Sequence, residues 1–451
     1  MRRGLRTVKR IEPQLDVLVE IGGEIVRAGT LALHEDADQF QASFAYLPAY
    51  LERALAGRAF PLDPINLPLR ERPFETLSRF FLLGALFDAA PDAWGRTVMA
   101  SDEAVSPTAL TEAKVLLKGR GSGVGAILFA QPGAQIVRPD ASDLPRIGDV
   151  AELYKTVAAI ESGVQVDERL RDMLMSSWDM GGARPKAVVQ DDLGMEWIVK
   201  FPRKIDTYSR SRNEWANLEM ARDIGMRVPP TRLIELDGGD CALLIARFDR
   251  GEPGRMLRQH YLSAVSLVSP PADFDKRKLD TPFGASIFSY ARLAEVVRVV
   301  SEHVSHDLQE LFARMVLNIL LHNTDDHLKN TGFLMDAQTF HYHLSPLFDV
   351  VTQEATTKHM LHLGPPGESG TDGRVGNLDR ARAGALQWGL RPQAVEAIID
   401  RVQAIVADRQ LYYRRAGMDD AEIALVERWL PRIDGHAAPE FVSAPSSRMR
   451  G

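Results

Sequence analysis

Chemistry-bearing side chains crowd one stretch of the sequence, Asn323-Thr324-Asp325-Asp326-His327-Leu328-Lys329-Asn330. Polar groups at this density are costly unless solvent, a metal or a substrate satisfies them. The spacing Asp325-x-x-x-x-Asn330 supplies a carboxylate that can orient an acceptor hydroxyl and an amide that can hold a magnesium ion. Asp349 follows at the end of an expected strand hairpin and offers a second carboxylate, able to reach nucleotide phosphates through a metal. Kinase-type phosphoryl transfer needs such a set, because its catalysis rests mainly on positioning and electrostatics.

A partner set lies upstream. Gly181-Gly182 precede a strand that starts near Lys186, and a glycine pair there lets backbone amides approach an anion. Lys200 ends a second apolar strand, Glu196-Trp-Ile-Val-Lys200, where a lysine is an ordinary snorkelling residue unless an anion partners it. Glu214, early in the helical stretch 212–224, is placed to be that anion. Glycine loop, strand lysine and helix glutamate come in the order of a kinase nucleotide lobe.

The elements that must position these groups follow from periodicity. Leu308, Leu311, Phe312, Met315, Val316, Ile319 and Leu320 recur on one helical face, so a buried helix delivers the 323–330 loop. Strands are expected at 187–190, 196–202, 231–236 and 241–248, the last two joined by the turn Asp237-Gly-Gly-Asp240. Leu15, Val17 and Val19, then Gly22-Gly23 and Ile25-Val26, read as an earlier hairpin. Within 88–96, Asp, Pro and Gly can cap and turn a helix. Beyond 251 the pattern turns helical, with helices expected at 256–267, 287–304, 378–388, 392–415 and 419–429. Loop 269–283 is open between a substrate-facing insertion and a connector, and 365–379 reads as a mobile glycine-rich loop.

Composition bounds the rest. The chain has 451 residues, 45% hydrophobic and 25% charged, enough for two or three globular domains. A formal charge of −7 gives no global push toward nucleic acid or membrane. No run of 18 apolar residues and no apolar segment behind the basic start MRRGLRTVKR is present, so the expected location is cytoplasmic, with no membrane partner. Cys241, the single cysteine, sits in an apolar run and reads as a buried, inert thiol. The basic clusters 2–10 and 203–212 read as solvated faces or tails. The glycine-dense stretch 119–125 is either a phosphate cradle, without the Gly-Lys-Ser/Thr ending of a P-loop, or a turn serving close packing. His322, His327, His341 and His343 match no zinc spacing, which argues against a metal hydrolase.

Taken in order, Pro91-Asp-Ala-Trp-Gly95, Gly123-Val-Gly-Ala126, Gly181-Gly-Ala-Arg-Pro-Lys186, Val199-Lys-Phe-Pro202, Asn213-Glu214, Arg247-Phe-Asp-Arg250, Thr324-Asp-Asp-His-Leu-Lys-Asn330 and Leu347-Phe-Asp349 resemble the HipA family. These are the serine/threonine kinases that form the toxin half of bacterial HipBA-type toxin–antitoxin systems. The resemblance runs from Asp16 to about Gly435.

It implies an α+β, two-lobed protein-kinase-like fold, with a β-rich nucleotide lobe, a helical C-lobe and an additional N-terminal α/β subdomain. The corresponding division is an arm at 1–15, the N-terminal subdomain at 16–130, a linker at 131–148, the nucleotide lobe at 149–250, the catalytic lobe at 251–435 and a disordered tail at 436–451. The cofactors implied are ATP and Mg2+. Lys200 would bind the nucleotide phosphates, with Gly181, Gly182, Lys186 and its partner Glu214 completing the cofactor-binding set, and backbone groups near Ala246 and Phe248 would hold the adenine. Asp325 would be the catalytic aspartate, with His327 and Lys329 beside it, and Asn330 and Asp349 would hold magnesium.

The implied partners are a HipB-like helix-turn-helix antitoxin, operator DNA only through that antitoxin, and a protein acceptor such as an aminoacyl-tRNA synthetase. One departure stands out: Asp179 occupies the position of the serine that the founding member autophosphorylates, with Ser176 and Ser177 nearby. Two other readings use the same residues. One is a small-molecule kinase of the aminoglycoside phosphotransferase type, against which the Arg-Phe-Asp-Arg segment and the extra N-terminal unit argue. The other is a non-catalytic antitoxin-binding corepressor.

Overall fold

The computed structural model describes residues 13–35, 40–76, 83–119, 123–135, 144–162, 184–251, 257–271, 274–354, 356–365 and 371–431. Gly181, Gly182, Asp179, Ser176 and Ser177, most of the arm and all of the tail lie outside them.

The first hairpin forms as its alternation predicts. β1 (Gln14–Ile21) pairs with β2 (Glu24–Glu35), and Gly22 and Gly23 take the positive φ that a two-residue hairpin turn requires. β1 thus starts inside the stretch read as an arm. β3 (Phe40–Tyr46), β4 (Phe74–Thr76) and β5 (Ile127–Ala130) complete an antiparallel sheet in the order β4-β3-β2-β1-β5. Its inward residues, among them Val17, Leu31, Leu33 and Phe44, are fully buried. α1 (Pro48–Leu55) packs on β2, and α2 (Ala85–Asp88), α3 (Ala93–Asp102) and α4 (Glu112–Lys118) follow. The capping expected within 88–96 is present: the Asp92 carboxylate accepts from Gly95 N at 2.8 Å, and α3 begins there.

After α5 (Val150–Glu161), a four-stranded antiparallel sheet carries the nucleotide-side residues. Its strands are β6 (Lys186–Gln190), β7 (Glu196–Lys200), β8 (Thr231–Glu235) and β9 (Cys241–Ala246), in the order β6-β7-β9-β8. α6 (Arg210–Ile224) lies between β7 and β8 in sequence and packs against β9. Ser209 caps its start, and Gly225, left-handed at φ +96°, ends it.

The second half is helical around one large core. α7 (Ala264–Val268), α8 (Pro282–Ile287), α9 (Tyr290–Val300) and α10 (Val304–Leu320) precede the polar loop, and α11 (Leu378–Gln387), α12 (Pro392–Ala407), α13 (Arg409–Arg415) and α14 (Asp420–Glu427) close the lobe. α10 is buried along nearly its whole length. Even its charged residues are inside, where Arg314 pairs with Glu310, and Arg227 bonds Asp307 and Glu310 at 3.0 and 3.1 Å.

Several expected elements differ. The helix expected at 256–267 is replaced by a strand, β10 (Tyr261–Ser263), running into the short α7. Tertiary pairing decides this: β10 joins β11 (Gly332–Met335), which pairs with β12 (Tyr342–Leu344), so the helical lobe carries a three-stranded sheet. Only glycine fits at 332, since a Cβ there would lie 2.3 Å from the Tyr261 ring. The helix expected at 287–304 breaks at Phe288–Ser289, where the Ser289 hydroxyl accepts from Arg292 N and caps α9. Among the described residues no helix is long and apolar enough to cross a membrane.

The glycine-dense stretch is described at 119 and 123–125, and the bonds at 123–125 are those of a packed turn. Gly125 donates its N–H to the Asp249 carboxylate at 2.8 Å, while Arg247 and Arg250 both donate to the Gly123 carbonyl at 2.9 Å. With its amide spent on a carboxylate, Gly125 is part of a packed turn and not of a phosphate cradle. Its φ of +80° and a Cβ position only 3.0 Å from Tyr261 N explain the glycine.

Candidate active site

A cleft of about 480 Å3 opens between the four-stranded sheet and the helical lobe. Its apolar lining comprises Val124, Ile198, Ile245, Phe248, Phe348 and Val351. Its charged and polar lining brings together Lys186, Lys200, Glu214, Asp325, His327, Lys329, Asn330 and Asp349. Residues predicted from two distant stretches therefore share one site.

Lys200 is its hub. Its ammonium bonds Glu214 Oε1 at 2.6 Å and also contacts the Asp349 carboxylate, 149 residues away in sequence. Burial alone would lower the Lys200 pKa, but the two carboxylates outweigh it and raise it, so the lysine stays charged. Asp349 is held below the ordinary carboxylate value: burial opposes this, and Lys200 and Lys186 prevail. Glu214, deeper in the lobe, is pushed up by burial against the pull of Lys200. Glu214 also accepts the Asp349 backbone N–H at 3.2 Å, so it braces both partners. Asp349 itself sits at φ +57°, a left-handed conformation that non-glycine residues rarely adopt and that aspartate tolerates best. Such strain is typical where surrounding structure fixes a functional side chain.

On the opposite wall, α10 ends at Leu320 and the loop turns through His322 at φ +51°. Asp325 and Asp326 then point apart. Asp326 is buried and fully engaged: one oxygen accepts from Tyr290 Oη at 2.9 Å and faces His359 Nδ1 at 3.0 Å, and the other accepts Met360 N at 2.8 Å. Asp325 is left facing the cleft. Partial burial and the nearby Asp349 and Asp326 raise its pKa, with His327, 3.9 Å away, opposing. Asn330 donates its amide N–H to the Asp325 carbonyl at 2.8 Å, which directs its Oδ1 away from that bond. Lys329 lies over the Phe87 ring at 4.5 Å, close to Asp88 and Asp92.

Oxygen donors suited to a hard divalent cation, a carboxylate at 349 and an amide at 330, share the cleft with lysines suited to phosphate oxygens and apolar side chains suited to a planar base. The residues present fit a magnesium–nucleotide pair.

Ala246, the other backbone position expected near the base, has its N–H committed to the Pro230 carbonyl at 2.9 Å. Its side chain packs in the core behind the sheet. Phe248 lines the cleft, with its ring 5.7 Å from Phe348 and 6.2 Å from Tyr261.

Sequence reasoning missed Asp88 and Asp92, which reach the cleft from the N-terminal unit, and Arg184, Arg210 and Phe348. Phe348 stood inside the Leu-Phe-Asp motif and could have been found there. Asp92 stood inside Pro91–Gly95, but nothing in its spacing pointed to a lysine 94 residues on.

The model of the HipA-like C-terminal domain family matches residues 178–409, just over half of the chain. A "Putative kinase" of Haemophilus influenzae is 26% identical over 149 residues, covering 32% of this chain and 41% of the relative. "Putative kinase Y4dM" of Sinorhizobium fredii is 29% identical over 238 residues, covering 49% of this chain and 52% of the relative. The chain thus spans about half the length of the curated relatives it matches, or less. Among solved structures, a chain of the Shewanella oneidensis MR-1 complex of HipA, HipB and operator DNA superimposes with a TM-score of 0.64 at 21% identity, over 92% of this chain and 94% of that one. That likeness gives the fold, two-lobed and protein-kinase-like, and the match of the domain family over the cleft-bearing half gives the kinship: this chain belongs to the HipA family.

Proposed function

We propose that this chain is an ATP- and Mg2+-dependent serine/threonine protein kinase. The observation that carries the reading is the meeting of the Lys200–Glu214 pair with Asp325, Asn330 and Asp349 around one cleft. Lys200 and Lys186 would hold phosphate oxygens, and the apolar lining around Ile198, Ile245 and Phe248 would take the base. Asn330 and Asp349 would hold magnesium, which when bound supplies charge neutralisation at the phosphates. Asp325 orients the acceptor hydroxyl and accepts its proton, a role that its raised pKa suits. Asp326, locked by its three partners, keeps Asp325 turned to the cleft.

The acceptor we propose is an aminoacyl-tRNA synthetase or a similar translation protein, so that activity arrests growth. A HipB-like antitoxin would neutralise it, reaching operator DNA on its behalf; the Shewanella complex of HipA, HipB and DNA supports this partnership. The test is transfer from radiolabelled ATP to a panel of purified synthetases, with Asp325→Asn as control. Label on a serine or threonine of one synthetase, reduced at least a hundredfold by Asp325→Asn, is expected. A loss of less than about tenfold would remove Asp325 from the catalytic role. Labelling of a small aminoglycoside or choline with no protein labelled would replace the protein-kinase reading.

A further inference from the structure

Lys186 and Lys200 are direct partners in the β6–β7 ladder, so their side chains leave the sheet on the same face, and both line the cleft. Like charges directly opposite one another in a sheet repel. Burying two ammonium groups side by side requires a counter-ion for each. Lys200 obtains its own from α6, through Glu214. Lys186, only 4% exposed, has Asp92 at 3.4 Å, and Asp92 belongs to the N-terminal unit. The grip has a second point: Trp94 donates its indole N–H to the Lys186 carbonyl at 2.9 Å. The start of α3 therefore holds both the backbone and the ammonium of this lysine. Asp92 in turn is fixed by its cap bond to Gly95 N.

We infer that Asp92 is a positioning residue of the nucleotide site, the counterpart for Lys186 of what Glu214 is for Lys200, and that the N-terminal unit is thereby a working part of the phosphate-binding site. The inference rests on the proposed kinase reading. Asp92 gives Lys186 a carboxylate of its own, so that Asp349 is not the sole anion serving both lysines.

The variant Asp92→Asn removes the charge and keeps a good helix cap. Binding of Mg·ADP, measured by calorimetry, is compared for the wild type, Asp92→Asn, Lys186→Gln, the double variant and Asp92→Glu, each with its thermal midpoint without nucleotide. Lys186→Gln and Asp92→Asn are each expected to weaken binding about tenfold. The double variant, whose pair is neutral on both sides and so spares the fold, is expected to weaken it about tenfold as well and not a hundredfold, because Asp92 acts through Lys186. Asp92→Glu should recover binding to within about threefold of wild type. Additive losses in the double variant, or Asp92→Asn binding like wild type while Glu214→Gln binds weakly, would overturn the inference and leave the kinase reading intact. A wild type that does not bind Mg·ADP would overturn both.

Discussion

The two lysines that face each other across β6 and β7 draw their partners from very different distances. Glu214 lies 14 residues after Lys200 and in the same lobe, whereas Asp92 lies 94 residues before Lys186, in a unit built on a separate sheet. The first pair is local enough to be foreseen from the order of a strand and a helix. The second exists only because α3 docks on the nucleotide sheet. A site can thus be half self-contained and half borrowed, and the borrowed half makes its chemistry depend on an interface.

The sharpest way to break the comparison is at the hub. Lys200→Met, assayed by phosphate transfer, is expected to lose about a thousandfold in kcat/KM, about 4 kcal/mol of transition-state stabilisation. If Lys186→Met lost as much, the two lysines would be equals and not hub and neighbour.

The seam that carries Asp92 can be loosened by acid. His260 is buried with Nε2 2.8 Å from the Leu62 carbonyl, a tie between the N-terminal unit and the helical lobe. Burial lowers its pKa to about 4, against the small opposing effect of that carbonyl. Between the ordinary value near 6.5 and about 4, the unfolded chain binds a proton here that the native chain does not, so stability falls as pH falls through that window. Asp63, raised to about 6 by burial with the Asn66 bonds opposing, works with the other sign: its contribution is lost as pH rises toward and through 6. Thermal midpoints from pH 7 to 4.5 for wild type and His260→Gln in an Asp63→Asn background isolate the histidine. The variant should flatten the acid limb by up to about 3 kcal/mol.

The smallest expected effect separates packing from charge. Trp94→Phe removes the indole bond to Lys186 and should cost about 1–2 kcal/mol in a denaturant titration. Nucleotide affinity should change less than about threefold. A larger loss of affinity would mean that α3 serves Lys186 mainly by shape.

Much of this architecture was legible because periodicity reports local burial. The helix ending at Leu320, the β6–β7 and β8–β9 hairpins and the Asp325–Asn330 spacing all needed only neighbours within a few turns. What failed needed distant partners. Tyr261–Ser263 became a strand because β11, some seventy residues on, offers it an edge with a glycine opposite the tyrosine ring. The Gly123–Gly125 turn was ambiguous until the Asp249 and Arg247 bonds, more than a hundred residues distant, decided it.

The contact between Lys200 and Asp349 has a consequence in time. Asp92 and Glu214 are both made before, or soon after, the lysine that each one serves, whereas Asp349 follows Lys200 by 149 residues. At about 5–20 residues per second, a ribosome needs about 7–30 s to bridge that gap. Through that interval the nascent sheet can settle around its two lysine–acid pairs, so the nucleotide half has time to take shape before Asp349 is made.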